Sequence, residues 1–199
     1  IADDGVHGRE LWKSDGTEAG TVLVADINVG DGRGLYFGPG LLTAVNDRVF
    51  FLADDGVHGE GIWVSDGTAE GTRRLMDQWV SPEGSSYFSP ENLTNVDGTL
   101  FFTLSSGNSS ESAELWKSDG TTEGTVMVRN GFGRDTESRL RDFTAFNGQL
   151  LFVGAEDGVP QLWKSDGTAE GTVIVAPGQL EFPSRLTNLG DAVFFQAYT

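Results

Sequence analysis

An all-β fold assembled from four-stranded antiparallel units is what this sequence predicts, on three observations. The stretch Glu10-Leu11-Trp12-Lys13-Ser14-Asp15-Gly16-Thr17 returns as Ile62 to Thr68, as Glu114 to Thr121 and as Leu162 to Thr168. Four copies in one chain define a repeat protein before any single residue is considered. Each copy reads as a hairpin, and two further strand patterns recur between consecutive copies.

The hairpin follows from its residues. Leu-Trp-Lys-Ser alternates apolar and polar side chains, the period of a strand with one buried face. Ser-Asp-Gly-Thr supplies a turn, because Asp bonds backbone two residues on and Gly accepts positive φ. Gly-Thr-Val then restarts a strand rich in β-branched residues. The recurring Asp is read as a turn residue rather than a ligand, since a unit needed once per repeat is structural.

The other two strands also have four copies. One is Leu42-Thr43-Ala44-Val45, matched at Leu93 to Val96, Phe143 to Phe146 and Leu186 to Leu189. The second is Val49-Phe50-Phe51-Leu52, matched at Leu100 to Phe102, Leu150 to Val153 and Val193 to Phe195. Asn46-Asp47, Asp97-Gly98, Asn147-Gly148 and Gly190-Asp191 join them, pairs that favour two-residue hairpin turns. Each repeat thus holds strands A (Leu-Thr), B (Phe-Phe), C (Leu-Trp) and D (Thr-Val). Adjacent Phe residues on B place aromatic bulk on both faces, so the sheet is expected to be covered on both sides.

Trp12, Trp63, Trp116 and Trp163 set a spacing of 51, 53 and 47 residues. Stacked four-stranded units of that length describe the blades of a β-propeller. The chain opens inside a B strand and finishes with an A and a B strand, so the expected fold is a single domain over residues 1–199. It has four blades, the first closed by the C-terminal strands. A cut from a longer array has the same repeat arithmetic, and the start at Ile1 agrees with a mature product or a fragment.

Composition excludes some functions. The formal net charge of −17 argues against nucleic acid or anionic membrane as partners. Cysteine is absent, so disulfides and thiolate metal sites are excluded. No apolar run approaches the roughly 18 residues of a membrane span, and no membrane insertion is expected.

The repeated motif resembles that of the bacterial ELWxxDGT-repeat proteins, most fully at Glu10 to Thr17 and Glu114 to Thr121. The blades are similar to those of TolB-type propellers. Departures lie at Glu60-Gly61-Ile62, Ser105 to Ser112 and Pro177 to Ser184. The resemblance implies a secreted or surface-associated bacterial protein and no catalytic residues.

Up-and-down strands put the A–B and C–D turns on one side and the divergent B–C and D–A loops on the other. Function is expected on the divergent side. Tyr36, Trp79 and Tyr87 in the D–A loops are candidate ligand-binding residues, because exposed aromatics offer flat apolar surface with a polar tip. The alternative is that Tyr36 and Tyr87 plug gaps between blades. His58, like His7, sits in an Asp-Asp-Gly-Val-His-Gly loop and is either a binding residue or an ordinary turn residue. Arg134, with Arg129, Arg139 and Arg141, either receives an anionic ligand or pairs with Asp135, Glu137 and Asp142. No catalytic or metal-ligating set is assigned and no cofactor is expected, although Ca²⁺ at Asp3-Asp4 or Asp54-Asp55 suits the acidity.

The expected function is a non-enzymatic, lectin-like binding or adhesion module, extracellular or on the cell surface, with a glycan or protein ligand. The alternative is a structural scaffold or spacer of a larger secreted protein. A glycosidase-like enzyme using paired carboxylates is a third reading.

Overall fold

The computed structural model describes residues 2–29, 42–76, 89–105, 113–133, 139–156 and 158–198. These residues form strands, turns and loops and contain no helix, so none is long and apolar enough to cross a membrane. The chain divides into two compact units, Ile1–Trp79 and Val80–Thr199.

The first unit holds two antiparallel sheets. One joins β1 (Ala2–Asp3), β2 (Arg9–Lys13) and β3 (Val22–Ala25) in that order. The second joins β4 (Thr43–Val45), β5 (Arg48–Asp54), β6 (Glu60–Ser65) and β7 (Arg73–Arg74). These four are strands A, B, C and D as read from the sequence. Phe51 lies opposite Trp63, and Trp63 lies opposite Arg74. Leu11 and Val24 of the first sheet pack with Phe51 and Ala53 of the second, joined by Ile27, Val49 and Trp63. The two sheets therefore share a core across their faces. Lys13 adds a polar link, its Nζ donating to the Gly67 carbonyl at 2.7 Å.

The second unit repeats the pattern. β8 (Ser89–Val96), β9 (Thr99–Ser105), β10 (Ala113–Ser118) and β11 (Val126–Phe132) form one four-stranded sheet. β12 (Arg141–Phe146), β13 (Gln149–Glu156), β14 (Val159–Ser165) and β15 (Val173–Ile174) form the next. β16 (Glu181–Asn188) and β17 (Val193–Tyr198) form a two-stranded sheet. Phe132, on the D strand of one sheet, sits edge-on to Phe152 and Trp163 of the next, with ring centroids 5.6 and 5.2 Å away. Edge-to-face aromatic pairs add to the stabilisation that burial itself supplies. Arg129 covers this cluster, its guanidinium 4.8 Å from the Trp163 ring while it binds Glu156 at 2.6 Å.

Strand B is buried on both faces where expected: Phe50, Phe51, Phe101, Phe102, Phe152 and Val153 are all buried. The expectation fails at β17. Phe194 is 59% exposed there, although it holds the place that Phe50 and Phe101 fill in complete sheets. Strand D also falls short, shrinking to two residues at β7 and β15.

Two of the four A–B turns are as the residue pairs predict, whereas only Asn46 of Asn46-Asp47 takes positive φ and Gly190-Asp191 lies in a four-residue loop between Asn188 and Val193. Asp97 and Gly98 take φ of +46° and +84°, and Asn147 and Gly148 take +48° and +72°. Positive φ at both central residues matches the twist of the flanking strands. A second recurring feature was not legible: Asn92, Asp142 and Arg185 take φ of +58°, +56° and +58°. Each sits at a register shift in its A strand, between Glu91 and Thr94, Arg141 and Thr144, and Ser184 and Thr187. A non-glycine residue is held there only when its surroundings over-determine it. They do so by stitching neighbouring A strands. Asn92 Nδ2 donates to the Leu140 carbonyl at 3.1 Å, and the Arg185 N–H donates to Asp142 Oδ2 at 2.9 Å.

Since Phe152 is fully buried between two sheets, Phe152→Ala is expected to cost about 3–5 kcal/mol, read as a fall in the urea midpoint. A cost below about 1 kcal/mol would mean that the face-to-face core does not hold the unit together.

Candidate functional site

The four Ser-Asp-Gly-Thr turns carry the most repeated carboxylates of the chain. In the second copy, Asp66 Oδ1 accepts the Thr68 N–H at 2.9 Å and the Thr68 hydroxyl at 2.7 Å. Thr68 Oγ1 in turn accepts the Gly71 N–H at 3.0 Å, and Thr72 donates its hydroxyl to the Thr68 carbonyl at 2.6 Å. That leaves the Ser65 hydroxyl to donate to Thr72 Oγ1 while accepting the Gly67 N–H. The same bonds recur around Asp15, Asp119 and Asp166. The Thr hydroxyl and then the Thr N–H hold Asp15, Asp66 and Asp166 below the usual carboxylate range. Gly71 is required because a Cβ there would collide with the Asp66 carboxylate, and Gly67 because its φ is +87°. The turn is self-contained.

The B–C loop of the second repeat is different. Between β5 and β6, Asp54 Oδ1 accepts the Gly56 N–H at 2.8 Å. Asp55 Oδ1 accepts the N–H groups of Val57 and His58 at 3.0 and 2.7 Å, while Oδ2 meets His58 Nδ1 at 2.6 Å. Burial opposes the Asp55 charge, but the His58 side chain and the two backbone N–H groups outweigh it and hold the carboxyl down at about 2. The loop of the first repeat is its twin, with Asp4 Oδ2 at 2.7 Å from His7 Nδ1. The bond to Asp4 raises His7 above its ordinary value, and the His7 N–H is the main cause that lowers Asp4.

Three charged groups surround the second loop. Glu60 lies opposite Asp54 across the hairpin; burial and then the Asp54 charge push its carboxyl up. Arg74 is folded under the loop, its side chain 9% exposed and 3.9 Å from Asp55. It donates to the carbonyls of Met76 at 2.7 Å and Gly59 at 2.8 Å, with longer bonds to His58 and Glu60. Its guanidinium fills the space that a side chain at Gly61 would need. In the first repeat that position is Glu10, almost fully buried, which accepts the N–H groups of Ile27 and Asn28 at 2.9 and 3.2 Å. Burial pushes the Glu10 carboxyl up in spite of those bonds. The second repeat thus replaces a carboxylate that caps N–H groups by an arginine that caps carbonyls. Glu60-Gly61-Ile62 is a departure visible in the sequence, but its connection with Arg74, Glu60 and the buried Glu10 exists only in the fold. The signal was the loss of Glu at residue 61 together with the gain of Arg at residue 74.

Of the residues singled out from the sequence, His58 lies in this loop, 52% exposed in its side chain. Tyr36, Trp79, Tyr87 and Arg134 lie outside the described residues. Among the described residues, no three His, Asp or Glu side chains converge to hold a metal ion.

No family model matches the chain, and no curated protein matches it. One solved structure that it resembles is described as a novel α-L-arabinofuranosidase (CtGH43) from Clostridium thermocellum ATCC 27405. Identity is 15% and the TM-score 0.37, over 75% of this chain and 56% of that one. The expectation of a non-catalytic binding or adhesion module is corrected here, because the matched structure is an enzyme and not such a module. At this identity and TM-score, however, the likeness carries no activity over to this chain.

The His–Asp clasps give a pH test. A raised folded pKa at His7 means its stabilising contribution is complete below about 6.5 and is lost as pH rises through the folded value. For Asp55, whose folded pKa is lowered, the contribution is present above about 3.9 and is lost as pH falls through about 2. An NMR titration is expected to place the His7 ring midpoint above that of a free histidine, and Asp4→Asn to remove the upshift. An unshifted midpoint in the unaltered chain would contradict the clasp.

Proposed function

We propose that the chain is a structural repeat scaffold of propeller blades, a repeat segment of the ELWxxDGT kind in a secreted or surface-associated bacterial protein. The observation that carries this reading is the internal closure of all four Ser-Asp-Gly-Thr turns, whose carboxylates and hydroxyls bind their own backbone. The motif repeated most often is thereby assigned to building hairpins. In the finer form of the reading there are four blades, and β16 and β17 are the A and B strands that complete the blade begun by β1, β2 and β3. Face-to-face packing of consecutive sheets within each unit supports it, as do the A strands stitched side by side in the second unit. The scaffold reading assigns the chain no reaction and no cofactor.

A second reading is favoured by one observation. Glu60, whose carboxyl is pushed up by burial and then by the Asp54 charge opposite it, suits a group that gives a proton. A carboxyl donor of that kind, facing a second carboxyl group, serves the hydrolysis of glycosidic bonds.

One set of variants separates the readings. Ser165 is fully buried, and its Oγ holds Thr172 and the Gly167 N–H at 2.8 and 3.1 Å. Ser165→Ala is expected to cost about 1–3 kcal/mol by leaving that N–H unpaired. The unaltered chain is expected to turn over aryl glycosides, arabinofuranosides included, no faster than Glu60→Gln. Turnover lost in Glu60→Gln would replace the scaffold reading by the second one.

A further inference from the structure

An Asp-Gly or Asn-Gly pair carries chemistry of its own. The glycine nitrogen can attack Cγ of the residue before it and close a succinimide ring, which water reopens to an aspartyl or isoaspartyl residue. The nitrogen must first lose its proton, so a glycine N–H held by an acceptor is protected.

Most such pairs in this chain are held in that way. Gly16, Gly67, Gly120 and Gly167 donate to serine hydroxyls, and Gly5 and Gly56 to the carboxylates of Asp3 and Asp54. In the turn between β8 and β9, Gly98 donates to Asn95 Oδ1 at 3.0 Å. The turn between β12 and β13 departs from the pattern. Its pair is Asn147-Gly148, both residues exposed and both at positive φ. The place that Asn95 fills one turn earlier is filled one turn later by Asn188, which accepts the Gly190 N–H at 2.9 Å. Here that place is Ala145. A methyl group accepts no proton, and among the described residues the Gly148 N–H has no acceptor. The other Asn-Gly pair, Asn130-Gly131, lies inside β11, held between Arg129 opposite Leu115 and Phe132 opposite Ala113.

We propose that Asn147 is a site of spontaneous deamidation, opened by the missing cap at Ala145. Solvent base takes the Gly148 amide proton, and the nitrogen forms a bond to Asn147 Cγ. The side-chain NH2 leaves as ammonia, taking a proton from water. Water then adds to either carbonyl of the succinimide, leaving an aspartyl or an isoaspartyl residue at position 147. Either product brings a negative charge to a turn that already has a carboxylate against it, since a Cβ at Gly148 would stand 3.0 Å from Asp97 Oδ2. Like charges at that range repel. The isoaspartyl linkage also adds a backbone carbon to the turn that fixes the β12–β13 register. Ageing therefore loosens this hairpin from its turn, while the pairs with occupied glycines stay intact.

Peptide mapping of the folded chain after incubation at mildly alkaline pH reads the site directly. Products at Asn147 are expected to form at least about tenfold faster than at Asn130. Asp97→Asn places a further Asn-Gly pair in a turn of the same kind with the Asn95 cap kept. Its deamidation is expected to run about tenfold slower than that at Asn147 in the same molecule, and the difference to vanish in urea, where no cap forms. Ala145→Asn, which installs the cap, is expected to slow the reaction at Asn147 by a similar factor. Equal rates at residues 97 and 147 of the folded variant, or deamidation at Asn130 ahead of Asn147, would overturn the inference.

Discussion

The structure depends on the turn in which an aspartate and two hydroxyls bind their own backbone. A hairpin of short strands is marginal by itself, and its register is fixed by its turn. Ser65, Asp66, Thr68 and Thr72 fix it with side chains, leaving no choice in how strand C meets strand D. On its other edge strand C pairs with B, Trp63 opposite Phe51 and Trp163 opposite Phe152, and the indole protons find the Ala53 and Gly154 carbonyls. The aromatic layer can then pack against the next sheet. A one-residue slip would send every one of these side chains to the other face.

The same turn constrains function. Its carboxylates are the most repeated acids in a chain of net charge −17, and they are already occupied by hydroxyl and N–H donors. Chemistry therefore has to come from elsewhere, and the B–C loop of the second repeat is where the regular pattern is broken. There Arg74 replaces the N–H-capping role of Glu10 by binding carbonyls, and Glu60 is raised beside Asp54. The expectation of a binding or adhesion module drew on D–A loop aromatics as well as on family resemblance. Three of those aromatics, Tyr36, Trp79 and Tyr87, fall outside the described residues, so the structure lends that expectation no contact.

Much of the fold was legible because it is local. Alternation in Leu-Trp-Lys-Ser, the Asp97-Gly98 and Asn147-Gly148 pairs and the β-branched restart each specify geometry within a few residues. The αL residues Asn92, Asp142 and Arg185 were not legible, because none of the three is a glycine and bonds to the adjacent A strand hold two of them. The exposure of Phe194 was missed for a related reason: two aromatics in a row predict two covered faces only where strands exist to cover them. At the candidate site His58 and its Asp55 were visible as a turn. Arg74 was not, since its role depends on Gly61, a residue thirteen positions earlier that becomes its neighbour only when β6 and β7 pair.

Amide hydrogen exchange tests the central claim most directly. If the turns close on themselves, the N–H groups of Gly16, Gly67, Gly120 and Gly167, all bonded to serine hydroxyls, exchange far more slowly than an unbonded loop amide. The protection should appear in all four copies, including the exposed turn at Gly16. Exchange at the free-peptide rate in those glycines, in an otherwise folded chain, would contradict the account.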